Sequence, residues 1–463
     1  MKNEMHDVVI IGAGASGTAL LYTLASYTDI KKVAIMEKYD RPGQVNSKAS
    51  NNSQTLHVGD IETNYTIDKV KQVYPSAMMV AQYAKSLPEN ERNKILFNTP
   101  KMVLGVGKDQ VLTLEKRYKD LLPIFPKLKK LYREDIAKIE PEVIRGRNKN
   151  EPVIALYNID GYAVDFENLS QSFIDHAKIN KSDIEIFYKT KVHKIEKNTD
   201  NLYEIKTTKG EIIKTKVVIV DADSYSLMFA KQMGYGENFS LIPIAGSFYF
   251  TKKLLNGKVY TVQEPKLPFA AVHGDPDVRV PNQTRWGPTA RFNPVLESSN
   301  FKTSGDFLRS SGLHRLRTWK SFIKILLDPT RFSYLVKNML YELPWVGNHL
   351  FLVNVKKIIP TIKSRDIRVA KGYGGMRLQR VDTNTHELQL GEGKILGDNI
   401  IFNMTPSPGA SVSLYNALRD TEQIMKFFNG QYKFDLLRME KDLVINDNFD
   451  THIEPSIPSG YAS

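Results

Sequence analysis

The chain has 463 residues, 41% of them hydrophobic and 25% charged, which provides for a large globular protein with a substantial core and argues against disorder. Lysine and arginine outnumber aspartate and glutamate by 64 to 51, and the net charge of +13 favours acidic small molecules, anionic membrane surfaces or nucleic acid as partners. The absence of cysteine excludes disulfides, iron-sulfur clusters and thiolate zinc sites, so any electron transfer runs through a cofactor that needs no thiolate.

Residues 1–7 lead straight into an apolar run at 7–11, without the basic region and apolar stretch of a secretory signal. No uncharged apolar run reaches the roughly 18 residues of a membrane-spanning helix, so neither a signal peptide nor a span is expected. After the glycines, Ala19, Leu20, Leu21, Leu24 and Ala25 recur at helical spacing, and Val33–Met36 reads as a second strand ending in Glu37. This strand, turn, helix and strand is how a dinucleotide-binding half begins.

A pyrophosphate needs backbone N–H groups at close range, which residues without side chains permit, and it is drawn to the positive end of the following helix. Gly12, Gly14 and Gly17 supply that spacing, with Ala15 and Ser16 at the helix entry. Glu37, about twenty residues past the last glycine and followed by Lys38, is placed to accept hydrogen bonds from ribose hydroxyls. The pattern predicts a dinucleotide and leaves FAD and NAD both open.

Further along, an apolar strand at 217–220 follows an alternating stretch from Ile184 through Val192 and Tyr203 to Ile213, read as hairpins that return the chain to the first sheet. A strand at 400–402 precedes Pro406, Pro408 and Gly409 and then an apolar helix from near Ser411. The expected fold is α/β, with a discontinuous Rossmann-type domain built from 1–80, 151–235 and 365–428. A second domain of mostly antiparallel β-sheet plus helices takes 81–150 and 236–364. An extension, 429–463, ends in a loose Pro-, Ser- and Gly-rich tail at 454–463.

Several segments resemble the malate:quinone oxidoreductase family, part of a wider flavoprotein group that includes D-amino-acid oxidase and L-2-hydroxyglutarate dehydrogenase. They are Asn51-Asn52 with His57 and Asn64-Tyr65-Thr66, then 102–107 with Val111, Leu114, Arg117 and Tyr118, then Val164-Asp165-Phe166. Arg377-Leu378-Gln379, Glu387-Leu388-Gln389-Leu390-Gly391 and Ser407-Pro408-Gly409-Ala410-Ser411 follow in the family's order. The resemblance implies FAD as cofactor, oxidation of (S)-malate to oxaloacetate and a membrane quinone as electron acceptor. It also implies flavin-nucleotide contacts at Asn51, Asn52, Ser53, Val192, Ala222, Gly375, Pro408, Gly409, Ala410 and Ser411.

Two departures mark this chain. Ser53, Gln54 and Leu56 stand where the family has small residues and glycines, and Asp221-Ala222-Asp223-Ser224 replaces the group's Ala-Gly pair, leaving Asp223 to take a left-handed turn. They leave open a dehydrogenase or oxidase of another 2-hydroxy acid, such as L-2-hydroxyglutarate or lactate, and a flavin-binding redox sensor without turnover.

Oxidising a 2-hydroxy acid removes a hydride from C2 and a proton from the hydroxyl, so a base that titrates near 7 is expected, and His57 and His273 are the candidates. A dicarboxylate also needs cations in two-point geometry. Arg285 and Arg377 are the first choices, with Arg291 and Lys371 as alternates. The turn 406–411 enters its helix with free N–H groups placed to face the flavin. No metal site is expected.

In residues 314–337, Arg315, Arg317, Lys320, Lys324, Arg331 and Lys337 stand against Asp328 alone, interleaved with Trp319, Phe322, Leu326, Leu327, Phe332, Tyr334 and Leu335. Such a segment fits the interface of an anionic leaflet, placing the protein peripherally on the inner, cytoplasmic face of the membrane. It equally fits a surface helix, broken at Pro329, that packs on the second domain. No nucleic-acid motif accompanies the charges, and no nucleic-acid partner is expected.

Overall fold

The computed structural model describes residues 5–444 apart from 182, 264–270, 299, 342–345, 390–392 and 406–407. Leu390, Gly391, Pro406, Ser407 and the tail 454–463 of the sequence reading lie outside the described residues, as do the side chains of Leu326, Arg331, Tyr334, Leu335 and Leu378.

A parallel sheet forms the centre of the first layer. His6–Ile11 pairs on one side with Val33–Met36, which pairs in turn with Ile184–Phe187, and on the other with Ile212–Val220, which pairs with Ile400–Met404. The stretches 8–11 and 217–220 and the strand Val33–Met36 are continuous apolar runs because both their faces are covered. Val8 and Ile10 enter a core with the helices Ala15–Tyr27, Ile67–Ser86, Phe166–Asn180 and Ser413–Phe427, whereas Val9 and Ile11 enter another with Leu227, Phe229 and Phe307. Of the stretch expected to form hairpins, Val192–Lys197 pairs antiparallel with Tyr203–Thr207, which pairs antiparallel with Ile212–Val220 and so returns the chain to the first sheet; Ile184–Phe187 instead joins the parallel sheet. Helix Leu436–Leu443, in the expected extension, packs on the first layer through Met439 and Leu443.

The second layer is an eight-stranded sheet in the order Arg368–Val369, Tyr249–Lys252, Gln283–Gly287, His273–Pro276, Lys258–Thr261, Lys101–Val106, Val153–Asn158 and Lys129–Tyr132. A smaller sheet pairs Phe239–Ala245 with Met376–Asp382. The expected domain limits shift accordingly. Val153–Asn158 and Arg368–Val369 pair in the eight-stranded sheet and Met376–Asp382 in the smaller one, none of them in the first layer, because strand pairing joins partners that are remote in sequence.

Between the layers lies the segment 49–57, held by charges buried in the second sheet. Lys258 Nζ donates to the Ser53 carbonyl at 2.9 Å and to Asp275 at 3.1 Å; Lys101 Nζ donates to the Leu56 carbonyl at 3.2 Å and to Asp60 at 2.7 Å. Arg285 pairs with Asp275 at 2.9 Å and with Asp277 at 3.4 Å, and reaches the Ala49 carbonyl at 3.5 Å. Tyr260 bonds Thr55 through their hydroxyls at 2.6 Å. Lys258, Arg285 and Asp275 are fully buried; burial pushes the Lys258 ammonium down to about 8, while the neighbouring cations overcome burial and hold Asp275 below the usual carboxylate range.

Breaking a buried pair by removing one partner costs about 3–5 kcal/mol, because the other charge is left uncompensated. Arg285→Ala is therefore expected to lower unfolding free energy by that order in urea titrations. A stability change under about 1 kcal/mol would show that the network does not carry the segment.

Candidate flavin site

A cavity opens where the parallel sheet meets the segment 44–57, and it begins at the glycine turn. Gly12 has φ +107°, and a Cβ there would stand 2.4 Å from the Asp221 carbonyl oxygen, so no other residue fits. A Cβ on Gly17 would meet the Gly12 carbonyl at 2.0 Å; this glycine lets the helix sit on the turn and does not line the cavity. Gly14 is the N-cap of helix Ala15–Tyr27 and provides no side-chain cap, which leaves the helix entry with Ala15 and Ser16 in the cavity wall. The Ala15 N–H is taken by Ser47 Oγ at 2.9 Å.

Glu37 ends the next strand inside the same wall. Its carboxylate accepts from the Ala13 and Tyr39 N–H groups, both at 2.9 Å, and burial raises it against those bonds. Each oxygen keeps a lone pair for a ribose hydroxyl. Lys38 lies 4.1 Å over the Tyr225 ring and pairs with Glu297, which also accepts from Tyr39 at 2.6 Å and Tyr225 at 3.1 Å. Glu297 thus ties the second part of the chain to the nucleotide end of the cavity. Val192 and Ala222 line that end too.

Asn51 and Asn52 build the adjoining loop. Asn51 Nδ2 donates to the Val45 carbonyl at 2.8 Å; Asn52 Nδ2 donates to those of Asn46 and Lys48, and its Oδ1 accepts from the Gln54 N–H at 2.8 Å. Gln54 takes φ +53°. Gly375 does not line the cavity: a Cβ there would collide with the Asn51 carbonyl at 2.0 Å, so it lets the second layer approach the loop.

Ser53, His57, Arg377, Pro408, Gly409, Ala410 and Ser411 also line the cavity, and Ser16 Oγ lies 3.4 Å from Thr405 Oγ1. Helix Ser413–Phe427 begins there without a side-chain cap. The His57 N–H donates to Ser411 Oγ at 3.0 Å; the ring places Nε2 3.2 Å from Ser53 Oγ and Nδ1 2.5 Å from Glu62. Burial would raise Glu62, but the His57 hydrogen bond and the charges of His57 and Lys101 outweigh it and bring the carboxyl to about 2.

The other candidates lie elsewhere. His273 is buried, stacked on Tyr260 at 4.3 Å, and burial drives it down to about 3, so it is a neutral core histidine outside the cavity lining. Arg285 is engaged in the buried network, Arg291 lies on the short strand Arg291–Phe292, and Lys371 is exposed at a turn; none of the three lines the cavity. Residues that sequence reasoning missed include Asn46, Ser47, Tyr225 and Leu296 in the lining, and Glu62 behind His57. The polar run after Glu37 signalled Asn46 and Ser47, whereas Tyr225 and Leu296 enter only through folding.

The residues present fit a flavin dinucleotide: a turn closed to side chains, a helix entry whose N-cap offers no side chain, an acid at the next strand end and a second helix that starts in the cavity wall without a side-chain cap. Solved structures share the architecture. An L-α-glycerophosphate oxidase from Mycoplasma pneumoniae with FAD bound superposes with a TM-score of 0.64 at 17% identity, over 93% of this chain and 96% of that one. A glycine oxidase from Geobacillus kaustophilus gives 0.62 at 16%, over 94% and 98%. Fold and site define an FAD-dependent oxidoreductase.

The model of the malate:quinone oxidoreductase (Mqo) family matches residues 4–436, and the chain belongs to that family. It is 43% identical over 443 residues to a malate:quinone oxidoreductase of Helicobacter pylori strain J99, covering 94% of this chain and 97% of the relative. It is 42% identical over 451 residues to a probable malate:quinone oxidoreductase of Campylobacter jejuni, covering 95% and 100%.

Asp223 adopts the left-handed turn expected of it, φ +51°, with its carboxylate accepting from Asn46 Nδ2 at 2.6 Å. Burial pushes it up to about 6, against hydrogen bonds from the Ser224 N–H and Asn46. Since the folded value lies above the unfolded one of about 3.9, its contribution favours folding below pH ~4 and is lost as pH rises through about 6. Asp223→Asn in the flavin-free protein should therefore gain stability relative to wild type as pH rises from ~4 to ~6, and keep a constant gain above that, in urea titrations. A difference that does not vary with pH would remove this assignment.

Proposed function

We propose that the protein oxidises (S)-malate to oxaloacetate and passes the electrons to a membrane quinone. The observation that carries this reading is that His57 and Arg377 both line the cavity that the glycine turn opens, in a chain of this family. FAD supplies the two-electron acceptor for the hydride from C2.

The chain's own residues do the rest. Arg377 offers a guanidinium fork to a substrate carboxylate. His57 Nε2 takes the hydroxyl proton, and Ser411 fixes the backbone of that histidine against the helix Ser413–Phe427. The nitrogen ends of that helix favour negative charge as it develops nearby.

The membrane side of the reading rests on the helices Leu316–Leu326 and Pro329–Leu340. Phe322 and Ile325 pack inward near Val381, but Leu316, Trp319, Ile323, Leu327, Phe332 and Met339 are each at least half exposed. Lys320, Lys324 and Lys337 are exposed around them. This exposure supports a role for each face: the inner face packs, and the outer face, with apolar side chains inside a basic rim, suits an anionic leaflet on the inner side of the membrane. No helix among the described residues is long and apolar enough to cross a membrane.

Anaerobic mixing with a panel of 2-hydroxy acids tests the substrate: malate should bleach the flavin fastest, and faster reduction by L-2-hydroxyglutarate or lactate would replace malate. His57→Ala should slow that reduction by about 10²–10⁴-fold while the flavin stays bound. Arg377→Ala should weaken productive malate binding by roughly 1.5–3 kcal/mol, read from the concentration dependence of reduction. For the surface, Lys320→Ala with Lys324→Ala should reduce sedimentation with anionic vesicles at low salt by roughly 1 kcal/mol for each lysine; equal binding by wild type and variant would assign the segment to packing.

A further inference from the structure

We infer that Glu62 is the positioning residue of His57, the two forming a pair that takes the substrate's hydroxyl proton; this rests on the proposed role of His57. The carboxylate Oε1 lies 2.5 Å from His57 Nδ1, and Oε2 accepts the Gly59 N–H at 2.9 Å, so both oxygens are fixed inside a short loop. Arg117 holds that loop from outside, donating through Nη2 to the Glu62 carbonyl at 2.8 Å and through Nη1 to the Tyr65 carbonyl at 2.6 Å. Both oxygens of Glu62 thus face N–H groups, and the Lys101 charge also favours the ionised carboxylate against burial.

An ionised carboxylate accepts and does not donate, so Nδ1 of the neutral ring must carry the proton. The Nε2 lone pair is then left toward Ser53 and the cavity, in the tautomer a base needs. When the hydroxyl O–H bond breaks, its proton goes to Nε2, and the positive charge that forms on the ring is met by the charge already present on Glu62. The carboxylate stays ionised throughout and receives no proton. Its part is to hold orientation and tautomer and to stabilise the imidazolium, as the buried acid does behind the histidine of a hydrolase triad. Ser53, which stands where the family has a small residue or glycine, supplies the hydroxyl that meets Nε2 in the resting site.

The test uses the FAD-loaded, full-length protein as wild type, Glu62→Gln, Glu62→Asp and His57→Ala. Stopped-flow reduction by malate should be roughly 10–100-fold slower in E62Q, the usual loss for removing an orienting partner, with half-saturating malate changed by less than about twofold. E62D should recover part of the rate. Nitrogen-15 spectra of labelled histidine, assigned by the signal missing in H57A, should show His57 as the Nδ1–H tautomer in wild type and as a mixture in E62Q. A merely structural role would not move that signal.

An Nε2–H tautomer in wild type overturns the pair, even if E62Q fails to fold. Wild-type reduction rates in E62Q, with H57A slow, also overturn the pair while leaving His57 as base. Wild-type rates in H57A overturn the reading on which the pair rests.

Discussion

The site depends on one physical constraint: the segment 49–57 has to lie between two sheets, and cations buried in the second sheet hold it there by its carbonyls. Lys258, Lys101 and Arg285 each bond to the main chain of this segment and to an aspartate, so every charge is neutralised while a backbone acceptor in the interior is satisfied. The arrangement fixes a polypeptide stretch that has no regular structure beyond one short turn, and with it the position of His57.

This constraint explains the division of labour among the charged residues. Cations on the second sheet cannot serve as substrate ligands when their forks are filled by carboxylates and carbonyls, which is the condition of Arg285. Arg377 enters the cavity because its strand, Met376–Asp382, belongs to the smaller sheet and begins beside the flavin-side loop, where Gly375 allows close approach. His273 is likewise removed from solution chemistry by stacking and desolvation, whereas His57 keeps contact with both the cavity and a carboxylate.

The nucleotide end follows a different logic, in which backbone dominates. Glycine at positions 12 and 17 is required by contacts of 2.4 and 2.0 Å to main-chain oxygen, and the helix entry supplies the electropositive end for a phosphate. Asp223 is the exception, a side chain in a left-handed conformation with a carboxyl turned toward the cavity and tied to Asn46. Strain of this kind persists only where surrounding structure enforces it. Here Asn46 and the end of Ile212–Val220 do so.

What the sequence determined by itself is local. The apolar runs of the parallel strands, the glycine spacing, Glu37 at its strand end and the order of the family-like segments are short-range patterns, and they were enough for the α/β class, the FAD cofactor and the family. Glu62 was also visible, five residues from His57, but proximity in a loop carries no direction for a side chain. The tertiary structure decided which of two histidines and which of four cations reach the cavity, because that depends on pairings such as Lys258–Thr261 with Lys101–Val106, far apart along the chain. It also decided that Val153–Asn158 belongs to the eight-stranded sheet, that Met376–Asp382 belongs to the smaller one and that Glu297 pairs with Lys38. Hydrophobic alternation tells a strand which face to bury; it does not name the neighbour, and in this protein the neighbour sets the chemistry.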